Sequence, residues 1–182
     1  MKVIIFGDLV VPSGFGRIGN EIGKRLAQRG HNVVGIGLQY TGQPHELPFW
    51  VFPTAGQDIW ATASNIINGS DSDVVIGIQD FPYHVSLFRD TPIDWSKHKF
   101  MFITPIDGTP IYDDWISCAK SVDACMTISE FGVEAFRQDG VHAELCPPGI
   151  NINEFFPIRV PTERAELRQK AGFPEDAFII GM

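Results

Sequence analysis

Residues 2–37 read KVIIFGDLVVPSGFGRIGNEIGKRLAQRGHNVVGIG, and this stretch decides the fold class. Val3 to Phe6 form a continuous apolar run, which is typical of a strand covered on both faces. Between residues 17 and 29 the apolar residues recur at helical spacing and form one stripe. The members of that stripe are Ile18, Ile22 and Leu26. Asn32 to Ile36 read as a second strand, so the stretch predicts a strand–helix–strand unit with parallel strands.

The same alternation continues as far as residue 146. Apolar runs predict further strands at 50–52, 73–78, 99–104, 124–128 and 143–146. Helical spacing predicts helices at 58–68, at 111–120 with Tyr112, Trp115, Ile116 and Ala119 turned inward, and from a cap at Ser129 to 138. We therefore predict an α/β domain, a doubly wound Rossmann-like parallel sheet with helices on both faces.

The composition limits the partners of the chain. Its 182 residues carry 22 acidic and 14 basic side chains, a net charge of −8, without a basic cluster. This balance argues against nucleic acid, whose phosphates need a basic face, and it does not indicate membrane association. No apolar stretch is long enough to cross a bilayer. The three cysteines lack metal or redox spacing, so we interpret them as small buried residues of a reducing compartment and expect a cytoplasmic protein.

Unusual polar residues and glycines concentrate in the loops that follow the predicted strands. In an open parallel sheet, ligands bind outside the carboxyl ends of the strands. We therefore expect the functional residues in these loops. They are Asp8, Gly14, Phe15, Gly16, Gln79, Asp80, Asp107, Gly108, Ser129, Glu130 and Gly149.

The segment Gly14–Gly19 matches the pattern Gly-x-Gly-x-x-Gly. Three interpretations stay open: close packing of the helix on the sheet, binding of a nicotinamide dinucleotide, or contact with phosphate or sugar. The dinucleotide fingerprint needs its first glycine directly after the strand, whereas residues 7–13 intervene here. It also needs an acidic residue at the end of the second strand, and 33–39 contain none.

Two polar residues have competing interpretations. Asp107 either orients a hydroxyl and serves as a general base, or holds an Asp-Gly turn. Ser129 caps a helix, and that helix N-terminus can also attract an anion. Asp80 has less functional weight at this level. The five histidines show no metal spacing, and each is interpreted as an ordinary surface or half-buried residue.

The composition changes at Pro147–Gly149, where a proline-rich connector begins. After it, Thr162 is expected to cap a helix to Ala171, closed by Gly172 and Phe173. The apolar run 177–182 then predicts a strand without a partner. We accordingly predict a domain over 1–149 and, over 150–182, a connector, a helix and the first strand of a second domain that continues beyond residue 182. The unpaired strand is expected to pair with another copy or to stay disordered.

Three segments carry a family resemblance. They are PSGFGR at 12–17 after the opening strand, MTISEFG at 126–132 and PPGININEFFP at 147–157. With them the chain resembles the N-terminal domain of a GT-B glycosyltransferase of retaining family 4. The resemblance implies a second domain that binds a nucleotide sugar as co-substrate, no tightly bound cofactor, no metal and a soluble acceptor bound by the present domain.

Particular residues have predicted roles. The resemblance implies that Gly14, Phe15 and Gly16 contact the donor, and Ser129 and Gly149 are predicted as further contacts. Asp107 is the predicted catalytic residue because it follows a buried strand, in a segment where relatives often have a histidine. The full protein would then transfer a sugar from the nucleotide to a hydroxyl, while the chain alone would be inactive. Two alternatives stay open: an NAD-dependent oxidoreductase domain, and a non-enzymatic domain that binds a sugar or a protein partner.

Overall fold

The computed structural model describes residues 1–153, 155–174 and 176–180 and divides into two units. The first unit is Met1–Pro148, and the second begins at Gly149. Each unit is described by itself below. Among the described residues, no helix combines the length and the apolar character that a bilayer crossing requires.

The first unit is built on one parallel sheet, which confirms the predicted fold class. Its strands are β1 (Lys2–Gly7), β2 (Asn32–Gly37), β3 (Trp50–Pro53), β4 (Val74–Ile78), β5 (Lys99–Thr104), β6 (Ala124–Thr127) and β7 (Glu144–Leu145). They lie in the order β3-β2-β1-β4-β5-β6-β7, and every neighbouring pair is parallel. The helices are α1 (Gly14–Gln28), α2 (Ile59–Asn68), α3 (Phe81–Val85), which continues as a π-helix (Ser86–Asp90), α4 (Asp113–Ser121) and α5 (Glu130–Gln138).

Alternate residues of the central strand β1 enter two separate cores, so helices cover both faces of the sheet. Ile4 and Phe6 pack into the core beneath α2, α4 and α5. Val3 and Ile5 pack into the core beneath α1. This alternation follows from the pleat, which points successive side chains to opposite faces.

Two helix boundaries differ from the predicted ones for identifiable reasons. Helix α1 begins at Gly14, three residues before the predicted start, because the Ser13 side chain caps it. Helix α4 begins only at Asp113, so Tyr112 precedes the helix as its N-cap. The side chain of Tyr112 is 69% exposed, and its predicted inward position was wrong.

The sequence analysis missed α3 and the π-helix that follows it. This segment, residues 81–90, reads FPYHVSLFRD and contains Pro82 in its first turn. Proline is tolerated there because the first N–H groups of a helix have no partner inside it. The segment is too short to show a stripe of apolar residues at helical spacing, so no helix was predicted after β4.

The prediction that the cysteines are buried is confirmed for two of the three. Cys118 and Cys125 are buried, while Cys146 is only half-buried, so the prediction was wrong there. Burial raises the pKa of the Cys118 thiol to about 11 and that of Cys125 to about 12. Both thiols are therefore protonated near neutral pH and unsuited to nucleophilic attack.

The second unit contains α6 (Pro161–Lys170). Its N-cap is Val160, which provides no side-chain hydrogen bond, so the predicted cap at Thr162 was wrong. The predicted C-terminal closure is confirmed, since Gly172 adopts a φ of 76° and Phe173 N donates to Arg168 O at 2.9 Å.

The apolar run after α6 is not a strand over its described residues. Residues 177–180 carry no strand pairing, and residues 181 and 182 lie outside the described residues. Phe178 and Ile180 are 92% and 82% exposed. The guanidinium of Arg168 donates to the carbonyl of Pro174 at 2.7 Å and to that of Ala177. These bonds hold the backbone at Pro174 and Ala177 against α6.

Candidate functional site

The carboxyl ends of β1 and β4 form the centre of the candidate site. From this pair the chain order runs outward in opposite directions, β2 and β3 on one side and β5, β6 and β7 on the other. Such a switch point leaves a crevice above the sheet, because the loops after the two central strands turn away from each other.

A buried carboxylate joins the two central strands at this point. Asp8 follows β1, and its Oδ1 accepts a hydrogen bond from Gln79 Nε2 after β4 at 2.9 Å. Its Oδ2 accepts from Ser13 Oγ at 2.5 Å. Ser13 Oγ in turn accepts from Gly16 N at 2.9 Å. Asp8 and Gln79 are both buried, so this network fixes the start of α1 relative to β4.

A buried histidine, His84, is hydrogen-bonded to the backbone of this network. His84 Nε2 donates to the carbonyl of Gln79 at 2.8 Å, and its ring stacks on Phe102 with the ring centroids 4.8 Å apart. The ring fits because Gly77 lacks a side chain, whose Cβ would lie 2.6 Å from His84 Nδ1. The prediction that every histidine is at most half-buried was therefore wrong for His84, and also for His98.

Removal of the Asp8 carboxylate should destabilise the first unit measurably. In Asp8→Ala the hydroxyl of Ser13 and the amide of Gln79 lose their shared acceptor inside a buried site. We expect the free energy of unfolding to fall by about 2 kcal/mol, because hydrogen bonds to charged groups contribute on that order. Urea titration followed by circular dichroism measures this change.

Two further variants make that experiment decisive. Asp8→Asn keeps one carbonyl oxygen and should lose less stability than Asp8→Ala. Asp139→Ala removes an exposed carboxylate at the end of α5 and should leave stability nearly unchanged. An equal loss in Asp8→Ala and Asp139→Ala would contradict the structural role assigned to Asp8.

Close packing accounts for two of the three glycines in the Gly-x-Gly-x-x-Gly pattern. A Cβ at Gly16 would lie 2.3 Å from the carbonyl oxygen of Val11, and one at Gly19 would lie 2.9 Å from Leu9 Cδ2. Gly14, in contrast, is exposed, and a Cβ there meets nothing within 4 Å. Phe15 packs against the core beneath α1. Of the predicted donor contacts in this loop, only Gly14 is exposed.

An open cleft of about 610 Å³ lies beside the switch point, above the carboxyl ends of β4 and β5. Its walls come from the start of α3, from the loop after β5 and from the start of α4. The lining residues are Asp80, Phe81, Pro82, Pro105, Ile106, Asp107, Gly108, Thr109, Pro110, Ile111, Tyr112 and Trp115. The predicted catalytic residue Asp107 therefore lies in a cleft of the size that small ligands occupy.

Two carboxylates of this cleft influence each other. The pKa of Asp80 is raised, first by partial burial and then by the negative charges of Asp107 and Asp8. The backbone N–H of Asp80 donates to Gln79 Oε1 at 3.0 Å, which ties the cleft to the buried network. Asp107 is exposed, and among residues 1–153 no hydrogen bond engages its side chain. The turn-forming interpretation, in which the side chain bonds its own backbone, is therefore not supported, and the role of Asp107 as a general base stays a prediction.

Aromatic rings also line the cleft. Trp115 stacks on Phe81 with the ring centroids 4.9 Å apart and an interplanar angle of 5°. Tyr112 meets Trp115 edge-on at 5.1 Å and 70°. Because Phe81 is buried and Tyr112 is exposed, the three rings connect the core to solvent. A cleft lined by both carboxylates and aromatic rings can bind a ligand with both polar groups and an apolar face.

Ser129 is not among the described residues that line this cleft. Ser129 caps α5, since its Oγ accepts from Gly132 N at 3.1 Å, so the capping role is confirmed. Ser129 follows β6, two strands from β4 in the sheet. Gly149 belongs to the second unit. The donor-binding roles of both residues stay predictions.

A second cavity, of about 330 Å³, lies at the amino ends of β1 and β2, near the end of α2. Its charged residues, Lys2 and Asp71, form an ion pair with each other. The loops that carry the unusual polar residues are at the opposite edge of the sheet, so the cleft around Asp107 is the stronger candidate.

The sequence analysis underestimated two residues of the cleft. Asp80 had little weight because nothing in its neighbourhood along the chain reveals that Asp107 and Asp8 approach it in space. Tyr112 was placed in a helix, although Asp113 and Asp114 directly after it are the acidic pair that favours the first turn. That signal could have moved Tyr112 out of the helix and onto the surface.

The chain was also compared with known proteins, and the comparisons leave the site to be interpreted from its own geometry. No known family profile matches the sequence, and no curated protein matches it significantly.

Among the described residues, no three His, Cys, Asp or Glu side chains are grouped so that they could hold a metal ion.

Proposed function

We propose that this chain is the acceptor-side domain of a glycosyltransferase that moves a sugar from a nucleotide-sugar donor to a hydroxyl. The observation that supports this most directly is the cleft lined by the carboxylates of Asp80 and Asp107 and by the rings of Tyr112 and Trp115. The resemblance of three sequence segments to retaining glycosyltransferases of the GT-B fold supports it independently.

The aromatic and the acidic residues of the cleft match the apolar and the polar parts of a sugar. The C–H face of a pyranose ring is apolar and can lie against Tyr112 and Trp115. Its hydroxyl groups can donate hydrogen bonds to the carboxylates of Asp80 and Asp107, which act only as acceptors when ionised. Such paired requirements select carbohydrates over purely apolar or purely ionic ligands.

In the proposed reaction Asp107 acts on the acceptor. The acceptor oxygen forms a bond to the anomeric carbon of the donor sugar, while the bond from that carbon to the phosphate oxygen breaks. The nucleoside diphosphate leaves with the electron pair, and the hydroxyl proton passes to the Asp107 carboxylate. The second, donor-binding domain that the resemblance implies would supply groups that stabilise the departing phosphate, and domain closure would exclude water.

Gly14 is the residue of the glycine loop best placed to approach a donor phosphate. It is the first residue of α1, where backbone N–H groups point out of the helix and attract anions. Its exposure leaves room for a phosphate, and no packing contact requires the glycine. The same reasoning weakens the dinucleotide alternative, because packing already explains Gly16 and Gly19.

NMR titration of the 182-residue chain tests this proposal. We expect methyl glucoside at tens of millimolar to shift the indole N–H signal of Trp115, which Trp115→Phe identifies by deleting that signal. UDP-glucose should additionally shift backbone amides at 14–16. The control Trp60→Phe removes an indole of α2 outside the cleft and should leave the response to sugar unchanged.

Two results would contradict the proposal. If no neutral sugar perturbs the Trp115 signal at these concentrations, the cleft is not an acceptor site. If NADH shifts the amides at 14–16 at micromolar concentration while UDP-glucose leaves them unmoved, the oxidoreductase alternative is correct instead.

A further inference from the structure

The cleft beside the switch point has negative charge without a balancing cation in its lining. Among the described residues that line it, the only charged side chains are Asp80 and Asp107. A third carboxylate, Asp8, lies buried behind them with both oxygens hydrogen-bonded to uncharged groups. Neither Ser13 nor Gln79 neutralises its charge, so Asp8 adds to the negative potential of the cleft.

The raised pKa of Asp80 agrees with a negative potential in the cleft. Besides burial, the charges of Asp107 and Asp8 disfavour its ionised form. A positive charge placed in the cleft would be attracted by all three carboxylates and would relieve their mutual repulsion. Arg89 does not supply it, since its guanidinium donates to Asp114 at 3.0 Å, outside the lining.

Tyr112 provides a second attraction for a cation. Its ring is 69% exposed, lines the cleft with the two carboxylates and is held edge-on by Trp115. The face of an aromatic ring carries partial negative charge and binds ammonium groups. Carboxylates combined with an exposed aromatic face therefore favour an amine over a neutral hydroxyl.

We propose that the acceptor bound in this cleft is an amino sugar, a carbohydrate whose protonated amine lies between Asp80 and the ring of Tyr112. This inference rests on the proposed function and specifies its acceptor. The amine is the recognition group, and it leaves Asp107 available for the hydroxyl that receives the transferred sugar. A neutral sugar of the same shape makes the hydrogen bonds and the stacking contact but lacks the ion pair.

Parallel titrations of the 182-residue chain with glucosamine and glucose test the inference. With the Trp115 indole signal as the readout at pH 7 and low salt, glucosamine should bind about tenfold more tightly, as expected for a partly exposed ion pair combined with a cation–π contact. Asp80→Asn is close in shape, keeps a carbonyl oxygen that can accept from a sugar hydroxyl and should reduce this preference to near one; the readout is the ratio of the two affinities, whatever the affinity for glucose itself. Asp139→Asn, a matched charge change at the far end of α5, should retain the full preference.

The possible outcomes separate this inference from the proposed function. Equal affinity for glucosamine and glucose would overturn the amino-sugar inference and leave the acceptor cleft standing. Equal affinity for glucosamine and ethanolamine would overturn it as well, because recognition would then concern an amine and not a carbohydrate. If neither sugar moves the Trp115 signal, the inference and the proposed acceptor site both fail.

Discussion

Gly16→Ala is expected to lower the free energy of unfolding by about 3 kcal/mol, near the upper end of what overpacking costs. The added Cβ would lie 2.3 Å from the carbonyl oxygen of Val11, which is backbone and cannot rotate away. Relief requires the loop after β1 or the first turn of α1 to move. Either movement strains the cap formed by Ser13 and, through it, the hydrogen bonds of Asp8.

Gly14→Ala is the matched control for this substitution. The same chemical change two residues earlier meets nothing within 4 Å and should alter stability by no more than about 0.5 kcal/mol. Urea unfolding of both variants, followed by circular dichroism, gives the comparison. Equal stability of the two variants would show that the loop adapts freely and that packing does not explain the glycine at 16.

The pair also separates packing from ligand binding in the Gly-x-Gly-x-x-Gly pattern. Under the proposed function, Gly14→Ala folds normally but weakens the response of the amides at 14–16 to UDP-glucose, because a methyl group then occupies the phosphate approach. A sequence pattern cannot make this distinction. It shows three glycines at fixed spacing, whereas the fold assigns Gly16 and Gly19 to close contacts and leaves Gly14 at the surface.

The sheet could be predicted because its strands are signalled locally. The run at 99–104 has Phe-Met-Phe-Ile between Lys99 and Thr104 and was placed with the bounds that β5 has. Buried parallel strands are easy to recognise, since both faces need apolar side chains. The run at 177–180 shows the limit of that reasoning. It is also apolar, yet it forms no strand pairing, and its Ala177 carbonyl accepts from Arg168 of α6. The sequence does not indicate which partner a strand-like segment finds.

Asp80 and Asp107 could each be placed after a predicted strand, but their approach in space could not be predicted. The rule that ligands bind at the carboxyl ends of parallel strands was sufficient to select Asp107 and Asp80 as candidates. Their coupling with Asp8 depends on three loops separated by many residues, and no local pattern encodes it. The burial of His84 was missed for the same reason. The glycine that makes room for its ring lies on β4, and the acceptor of its proton is a backbone carbonyl.

The buried network gives the site a rigid base beneath an open cleft. His84 holds the Gln79 carbonyl, the Gln79 side chain holds Asp8 and the backbone of Asp80, and Asp8 holds Ser13. A change at His84 should therefore reach the cleft through Gln79. Because these hydrogen bonds connect His84 to the cleft, protonation of His84 in acid should affect the site in a way that the exposed residues alone would not.

Acidification from pH 7 to pH 4 is expected to lower the free energy of unfolding by about 3 kcal/mol through His84 alone. Burial lowers the pKa of this histidine from its ordinary value of 6.5 to about 4, and the hydrogen bond to the Gln79 carbonyl offsets that effect only in part. Between these two values the unfolded chain binds the proton and the folded chain does not. Stability is therefore complete above pH 6.5 and is lost as the pH falls towards 4, with about 2 kcal/mol already lost at pH 5.

Urea unfolding at pH 7 and pH 5 measures the loss, and this interval avoids the range in which most carboxylates titrate. The raised pKa of Asp80 acts in the opposite direction, because a carboxyl that binds its proton more readily in the folded state gains stability in acid. His84→Gln can still donate to the Gln79 carbonyl but does not titrate, so its loss between the two pH values should be about 2 kcal/mol smaller than that of the parent chain. His142→Gln removes an exposed histidine and should keep the parent's dependence. If His84→Gln fails to fold, the ring proton shifts of His84 in the unmodified chain decide the matter, and a midpoint near pH 6.5 instead of about 4 would contradict the prediction.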